Sequence, residues 1–277
     1  MIPGAESASA GPEVSAEGRP TPRIDRTALV DPRAKVGEGV EIGPFTIVGP
    51  DVVIGDGTRI GANCLICGWT SIGKHCRLFH GAVVGEEPQD VKYRGEKTYV
   101  RIGDANIIRE YATIHRATGE GNETRIGDRS YIMAYAHVAH NCSLGSGVVL
   151  ANSVNMAGHV TIEDYATIGG VTPIHQFVRV GRYSFIGGGS RIPMDIAPFV
   201  KVAGNPARVS GLNSIGLQRH GLSPETRQIL KQAYKILFRS HLNVTQAIER
   251  IRSEVKAIPE IDHLVAFIES SQRGITL

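Results

Sequence analysis

Aliphatic residues recur in this chain at an interval of six and hold one phase through most of its length. From Val30 the series runs Val36, Ile42, Val48, Ile54, Ile60, Ile66, Ile72, Leu78 and Val84. It resumes in step at Ile102, Ile108 and Ile114, then runs from Ile126 through Ile132, Val138, Leu144, Leu150, Met156, Ile162, Ile168, Ile174, Val180 and Ile186 to Ile192. Two residues before each stands a small or β-branched residue, such as Ala28, Thr46, Thr58, Cys64, Cys76 or Ala82. Gly commonly follows, as at 37, 43, 49, 55, 61, 73 and 85. This period predicts short strands, each sending one aliphatic side chain inward, with the small residue at the turn and Gly relieving the corner. Three hexads make a triangular coil of about 18 residues, stacked about 4.8 Å from the next. Each coil buries its apolar side only against its neighbours, so stability is a nearest-neighbour sum.

The phase fails twice, at 86–96 and at 116–122. Both stretches are polar and are read as loops expelled from the coil, where function tends to concentrate on a rigid scaffold. After Ile192 the pattern dissolves through Pro193, Pro198 and Asn205-Pro206. Helical spacing follows. Ser223-Pro224-Glu225 supplies an N-cap, a first-turn proline and an early acid for a helix reaching about Arg239. Asn243 with Gln246 resembles a capping box for a second helix ending before Pro259, and a third runs from about Pro259 to Ser271. The expected organisation is a flexible extension over 1–23, a β-helix domain over 24–204, and a helical domain over 205–277 capping the solenoid.

Composition agrees. The chain is 42% hydrophobic but only 6% aromatic, with 33 Gly, so its core is built by repetition and not by rings. No apolar run approaches the roughly 18 residues of a membrane span, which argues against stable membrane insertion. The first residues, rich in Ala, Ser, Gly, Pro and Glu, lack the apolar core of a secretory signal, so the expected compartment is the cytoplasm. A net charge of +3 is too mild to suggest nucleic-acid binding. Cys64 and Cys67 form a C-x-x-C without a second pair, and Cys64, Cys76 and Cys142 all occupy the small-residue position of the repeat. They read as buried small residues, not metal ligands or disulfides.

Chemistry enters with ten histidines. Positions 18 apart should lie above one another, so His140 stacks on Gly158, beside His159, and Gly158 on Gln176, beside His175. Allowing about six residues for the second loop places His115 one coil below, with His137 half a hexad away. Such a column suits three chemistries: corner residues bonding carbonyls, a three-histidine zinc site with one ligand from a neighbour, or the floor of a cleft with one general base. No carboxylate in the column favours a metal, and imidazole titrates near working pH, so the base is the reading preferred. A row on a flat face is half a site. Packing three prisms side by side supplies the other wall, so a homotrimer with three clefts is expected.

Several stretches resemble the UDP-N-acetylglucosamine 3-O-acyltransferase family. They are Gly85-Glu-Glu-Pro-Gln-Asp-Val-Lys-Tyr-Arg-Gly-Glu96, Arg109-Glu110, Thr113-Ile-His-Arg116, Ala136-His-Val-Ala-His-Asn-Cys142, Ala157-Gly-His159, Ile174-His-Gln-Phe177 and Asn213-Ser-Ile-Gly-Leu-Gln-Arg219. The likeness runs from about residue 24 to the C-terminus. It implies a left-handed parallel β-helix, although parallel crossovers are usually right-handed. It also implies transfer of a 3-hydroxyacyl group from acyl carrier protein to the sugar 3-hydroxyl of UDP-N-acetylglucosamine, the first step of lipid A synthesis, with no cofactor and no metal. By the same resemblance, His140 is the general base and the Gly158 N–H the oxyanion donor. Asp90, Lys92, His115, His137, His159 and Gln176 bind substrate in the cleft, Asn213 and Arg219 contact nucleotide and donor, and His175 and Gly188 border the acyl chain. Gly188 leaves room for a long chain. Arg208, Arg219, Arg227, Lys231, Lys235 and Arg239 suit an acidic carrier protein. Two positions depart from the family: Asn141 replaces the acid that usually follows the base, which leaves the base weaker, and His220 replaces a strong base, which makes donor contacts pH-dependent. An acetyl-CoA-dependent or N-acylating relative and a non-catalytic scaffold stay open as alternatives.

Overall fold

The computed structural model describes residues 21–277, and of the expected extension over 1–23 only the last three fall among them. Arg23 already belongs to a strand, Arg23–Ile24, so the coil begins one residue earlier than expected.

Strands of two to five residues are dealt in turn to three sheets. The first sheet takes Arg23–Ile24, Glu41–Ile42, Arg59–Ile60 and every third strand thereafter. The second takes Leu29–Val30, Ile47–Val48 and Leu65–Ile66 onward, and the third Lys35–Val36, Val53–Ile54 and Trp69–Ile72 onward. Together they wind as a left-handed parallel β-helix. Val48 pairs with Ile66 and Ile66 with Val84, the expected coil of eighteen. Ile72 pairs with Ile102 and Ile102 with Ile126, steps of thirty and twenty-four, so the two polar stretches leave the coil without disturbing its phase. The inward aliphatics Ile66, Val84, Ile114, Val138 and Met156 stack at 0–1% exposure.

The corners work differently from the expected glycine relief. The residue in left-handed backbone stands three positions after the inward aliphatic, and is often not glycine: Phe45, Asn63, Tyr111, Asn141, Ser153, His159 and Phe177 all have φ between 56° and 64°. Among the repeat glycines named above, only Gly85 has a positive φ. Of the others, Gly37, Gly43, Gly55, Gly61 and Gly73 serve close approach, while Gly49 has room for a Cβ. A Cβ on Gly43 would lie 2.8 Å from the carbonyl carbon of Gly61, and one on Gly55 2.6 Å from that of Gly73. Small polar residues finish each corner from inside, as Thr46 Oγ1 donates to Gly61 O (2.7 Å) and accepts from Cys64 N (3.1 Å). Cys64, Cys76 and Cys142 are buried free thiols.

The last coil does not stop at 204. Val200–Ala203 extends the first sheet in parallel with Phe185–Ile186, then turns back into Arg208–Leu212, its antiparallel partner. Four helices follow: α1 (Ser214–Arg219), α2 (Pro224–Arg239), α3 (Val244–Glu254) and α4 (Pro259–Glu269). Ser223 caps α2, and Asn243 and Gln246 form both halves of the capping box of α3. Helix α4 is fastened to the coils. His263 Nε2 lies 2.8 Å from Glu163 Oε2, and Arg179 stacks 4.2 Å from the Phe267 ring. Ser271 Oγ donates to the buried Asp195 carboxylate at 2.7 Å.

Candidate active site

The histidines gather where the chain turns from the second sheet to the third. His137–Val138 ends in the second sheet and Ser143–Leu144 begins in the third, leaving His140 and Asn141 at the corner. Coil stacking sets their neighbours: His159 N donates to His140 O (3.0 Å) and Phe177 N to Gly158 O (3.2 Å). The His140 and His159 rings meet edge-on at 5.3 Å, and His159 stacks on Phe177 at 4.7 Å. An open cleft of about 760 Å³ faces this edge, lined by Asp90, Lys92, His137, His140, Gly158, His159 and Gln176 among others. A larger hollow of about 1070 Å³ lies on the first sheet between Arg23 and His80, where Glu41 pairs with both Arg23 and Arg59. It lies away from the imidazole edge.

Hydrogen bonding sets the proton on His140. Thr118 N, which can only donate, points at Asn141 Oδ1 (2.9 Å), and Thr118 O, which can only accept, takes Asn141 Nδ2 (3.1 Å). The amide is therefore oriented, and its oxygen also faces His140 Nδ1 at 2.9 Å. In the neutral ring Nδ1 then carries the hydrogen, and the lone pair falls on Nε2. Nε2 lies 3.9 Å from Asp90 Oδ2, too far for a hydrogen bond. On its other side a Cβ added to Gly158 would come within 2.5 Å of Nε2. Among the described residues no acceptor takes the Gly158 N–H.

The surrounding rings are neutral. Burial, with His115 and His140 nearby, pushes His137 down to about 4, and its Nδ1 meets Thr113 Oγ1 at 2.7 Å. Burial also lowers His115 and His159. At neutral pH these imidazoles add no charge beside His140.

Not every expected residue reaches this cleft. His115 is 6% exposed and sits edge-on behind His137 at 5.0 Å, so it supports the floor and does not line it. His175 is exposed at the same edge, its Nδ1 3.1 Å from Gln176 O. Gly188 lies at a different edge, between the first sheet and the Ile192 bridge to the second. Asn213 and Arg219 lie at the third edge: Asn213 caps α1 and donates to Tyr183 O (2.8 Å), and Arg219 is exposed in the last turn. His220 rests against Tyr165 and Tyr183, centroids 4.9 and 5.3 Å away, and desolvation lowers its pKa. It is neutral near pH 7, and its exposed ring leans at a tilt against both tyrosines. Sequence reasoning missed Thr118, whose only signal was its place in the second interruption of the repeat.

A corner histidine with an oriented tautomer, beside an unused backbone N–H on a hexapeptide coil, can accept a proton and offer a donor to a developing oxyanion, and the coils themselves define a hexapeptide-repeat protein. Residues 33–68, 51–86 and 123–158 match the bacterial transferase hexapeptide family, and 195–276 match the family described as Udp N-acetylglucosamine O-acyltransferase, Domain 2. An acyl-[acyl-carrier-protein]–UDP-N-acetylglucosamine O-acyltransferase of Alkalilimnicola ehrlichii is 52% identical over 91% of this chain and 98% of its own. The crystal structure of a UDP-N-acetylglucosamine acyltransferase from Bacteroides fragilis superposes with a TM-score of 0.88 at 42% identity, covering 91% of this chain and 99% of that one. The Arabidopsis acyltransferase superposes at 0.80 with 32% identity, covering 92% and 100%. The chain belongs to the acyl-[acyl-carrier-protein]–UDP-N-acetylglucosamine O-acyltransferase family. Among the described residues, no helix is long and apolar enough to cross a membrane.

Proposed function

We propose that this enzyme transfers a 3-hydroxyacyl group from acyl carrier protein to the 3-hydroxyl of UDP-N-acetylglucosamine, opening lipid A synthesis in the cytoplasm. The observation that carries the mechanism is the open Nε2 of His140 beside the free N–H of Gly158. Nε2 takes the hydroxyl proton as the sugar oxygen attacks the thioester carbonyl. The Gly158 N–H donates to the tetrahedral oxyanion, a contribution worth roughly 10²–10³ in rate. Collapse expels the carrier thiolate, which recovers the proton from the imidazolium, and no acyl-enzyme forms. Asp90 and Lys92 hold the sugar from the expelled loop, with His137, His159 and Gln176 on the floor.

Residues that the resemblance assigns to one site lie on three edges of a single prism: His140 on one, Gly188 on another, Asn213 and Arg219 on the third. Copies packed side by side in a homotrimer would join these edges into shared clefts. Exposed apolar residues on the second sheet and its border with the first, Leu29 (68%), Ile47 (46%), Tyr135 (61%) and Val171 (69%), suit that burial. Gly188 leaves space for a long acyl chain, and the exposed Arg219 and Lys231 suit an acidic carrier. Incubation with UDP-N-acetylglucosamine and a mixture of 3-hydroxyacyl carrier thioesters, read by mass spectrometry, should give a singly O-acylated sugar nucleotide from a trimeric particle. N-acylated product, or activity from a stable monomer, would contradict this reading.

A further inference from the structure

Arg116 is only 8% exposed, and each of its three guanidinium nitrogens donates a hydrogen bond. Nη1 donates to Gly85 O (2.9 Å), Nη2 to Glu87 Oε1 (3.1 Å) and to the Tyr93 hydroxyl (3.0 Å), and Nε to the same hydroxyl (3.2 Å). Its backbone N–H donates to Glu86 O at 3.1 Å. The Trp69 and Tyr93 rings flank it at 5.8 and 5.4 Å. Apart from Trp69, every partner lies where the chain leaves the coil after Val84. Gly68 makes the space, since a Cβ there would sit 3.0 Å from Nη1.

The contact at Tyr93 reaches the cleft through one turn. Tyr93 N donates to Asp90 O (3.0 Å), Lys92 N donates to Asp90 Oδ1 (3.0 Å), and Asp90 Oδ2 stands 3.9 Å from His140 Nε2. Tyr93 also donates to Glu96 O (3.1 Å). The far end of the loop is tied separately, where Gly119 N and Lys97 N donate to Glu96 and Glu120 carboxylates. Beyond the strand pairing that ends at Glu86 and His115, the guanidinium is the side chain that ties Tyr93 and Glu87 of the near half to the coil. Arg116 itself stands two residues past Ile114, as His140 stands two past the paired Val138, so the clamp and the base occupy one corner on successive coils.

We propose that Arg116 is a positioning residue that fastens the near half of the 86–96 loop to the coil and so sets Asp90 and Lys92 against His140. Its kinetic consequence rests on the acyl-transfer reading above; its structural consequence does not. A guanidinium is suited to this because its planar fork serves several acceptors at once while rings stack on its faces.

Limited trypsin digestion tests the structural arm, because Lys92 and Arg94 are exposed on the same loop. Arg116→Gln should be nicked there at least about tenfold faster than the parent, with unchanged circular dichroism, and Tyr93→Phe should be nicked at an intermediate rate. For the kinetic arm, kcat/KM for the sugar nucleotide should fall about ten- to a hundredfold in both Arg116→Gln and Asp90→Ala. The double variant should lose no more than about threefold beyond the worse single change, since both act through one loop. Nicking at the parent rate, or losses that multiply, would overturn the proposal. Full activity in His140→Ala would remove the acyl-transfer reading, and faster nicking would still uphold the clamp.

Discussion

At the edge between the third and first sheets, Asp104, Asp128, Ser146 and Asp164 form a ladder. Each accepts a backbone N–H from the preceding coil: Lys74 N to Asp104 (2.7 Å), Asp104 N to Asp128 (2.8 Å), Asp128 N to Ser146 (3.0 Å) and Ser146 N to Asp164 (2.7 Å). At the edge between the second and third sheets the backbone is the same, with Asn141 and His159 in the left-handed conformation that Arg129 and Tyr165 adopt on the ladder. There the outcome differs. Among the described residues His140 Nε2 and the Gly158 N–H have no hydrogen-bond partner, and both face a cleft. One edge uses its polar atoms to hold the stack together, and the other leaves two of them available. The fold repeats, and the proposed mechanism puts reactivity where the repeat leaves donors and acceptors unused.

Three substitutions break or sharpen this contrast, in falling order of effect. Gly158→Ala places a methyl group against the His140 ring and should cut kcat by at least about 10²-fold without loss of fold. Steady-state assay with circular dichroism checks it, and near-parent turnover would remove Gly158 from the site. Asn141→Asp puts a carboxylate against Nδ1–H and favours the imidazolium, so the basic form of His140 appears only at higher pH. The acid limb of the kcat/KM profile should move up by on the order of one pH unit. An unmoved limb would mean that His140 is not the titrating base. Asp128→Ala removes only a scaffold acceptor, and should cost at most about 1 kcal/mol of stability while leaving kcat within about twofold. A large loss of activity there would erase the distinction between the edges.

The hexad phase made the prism legible because each two-residue strand has a single inward position, so periodicity alone names the core from Val36 to Ile192. Counting by eighteen aligned His140 with Gly158, and allowing for the second loop brought in His115. Counting could not tell that His115 is buried, because what covers it is a loop from a different hexad. Nor could spacing place Asp90 within 3.9 Å of His140, since the path runs through Tyr93 and a guanidinium twenty-three residues on. The repeat glycines were visible, but their cause was misread, because close approach between coils and a left-handed turn leave the same residue in a sequence. The hairpin that begins at Val200 was missed since three prolines and a single antiparallel return look like the end of a pattern.

The most direct measurement is turnover of His140→Ala at saturating sugar nucleotide and acyl carrier thioester. If Nε2 is the base, kcat falls by about 10²–10⁴ while KM for either substrate stays within a few fold. Turnover within tenfold of the parent would contradict the account.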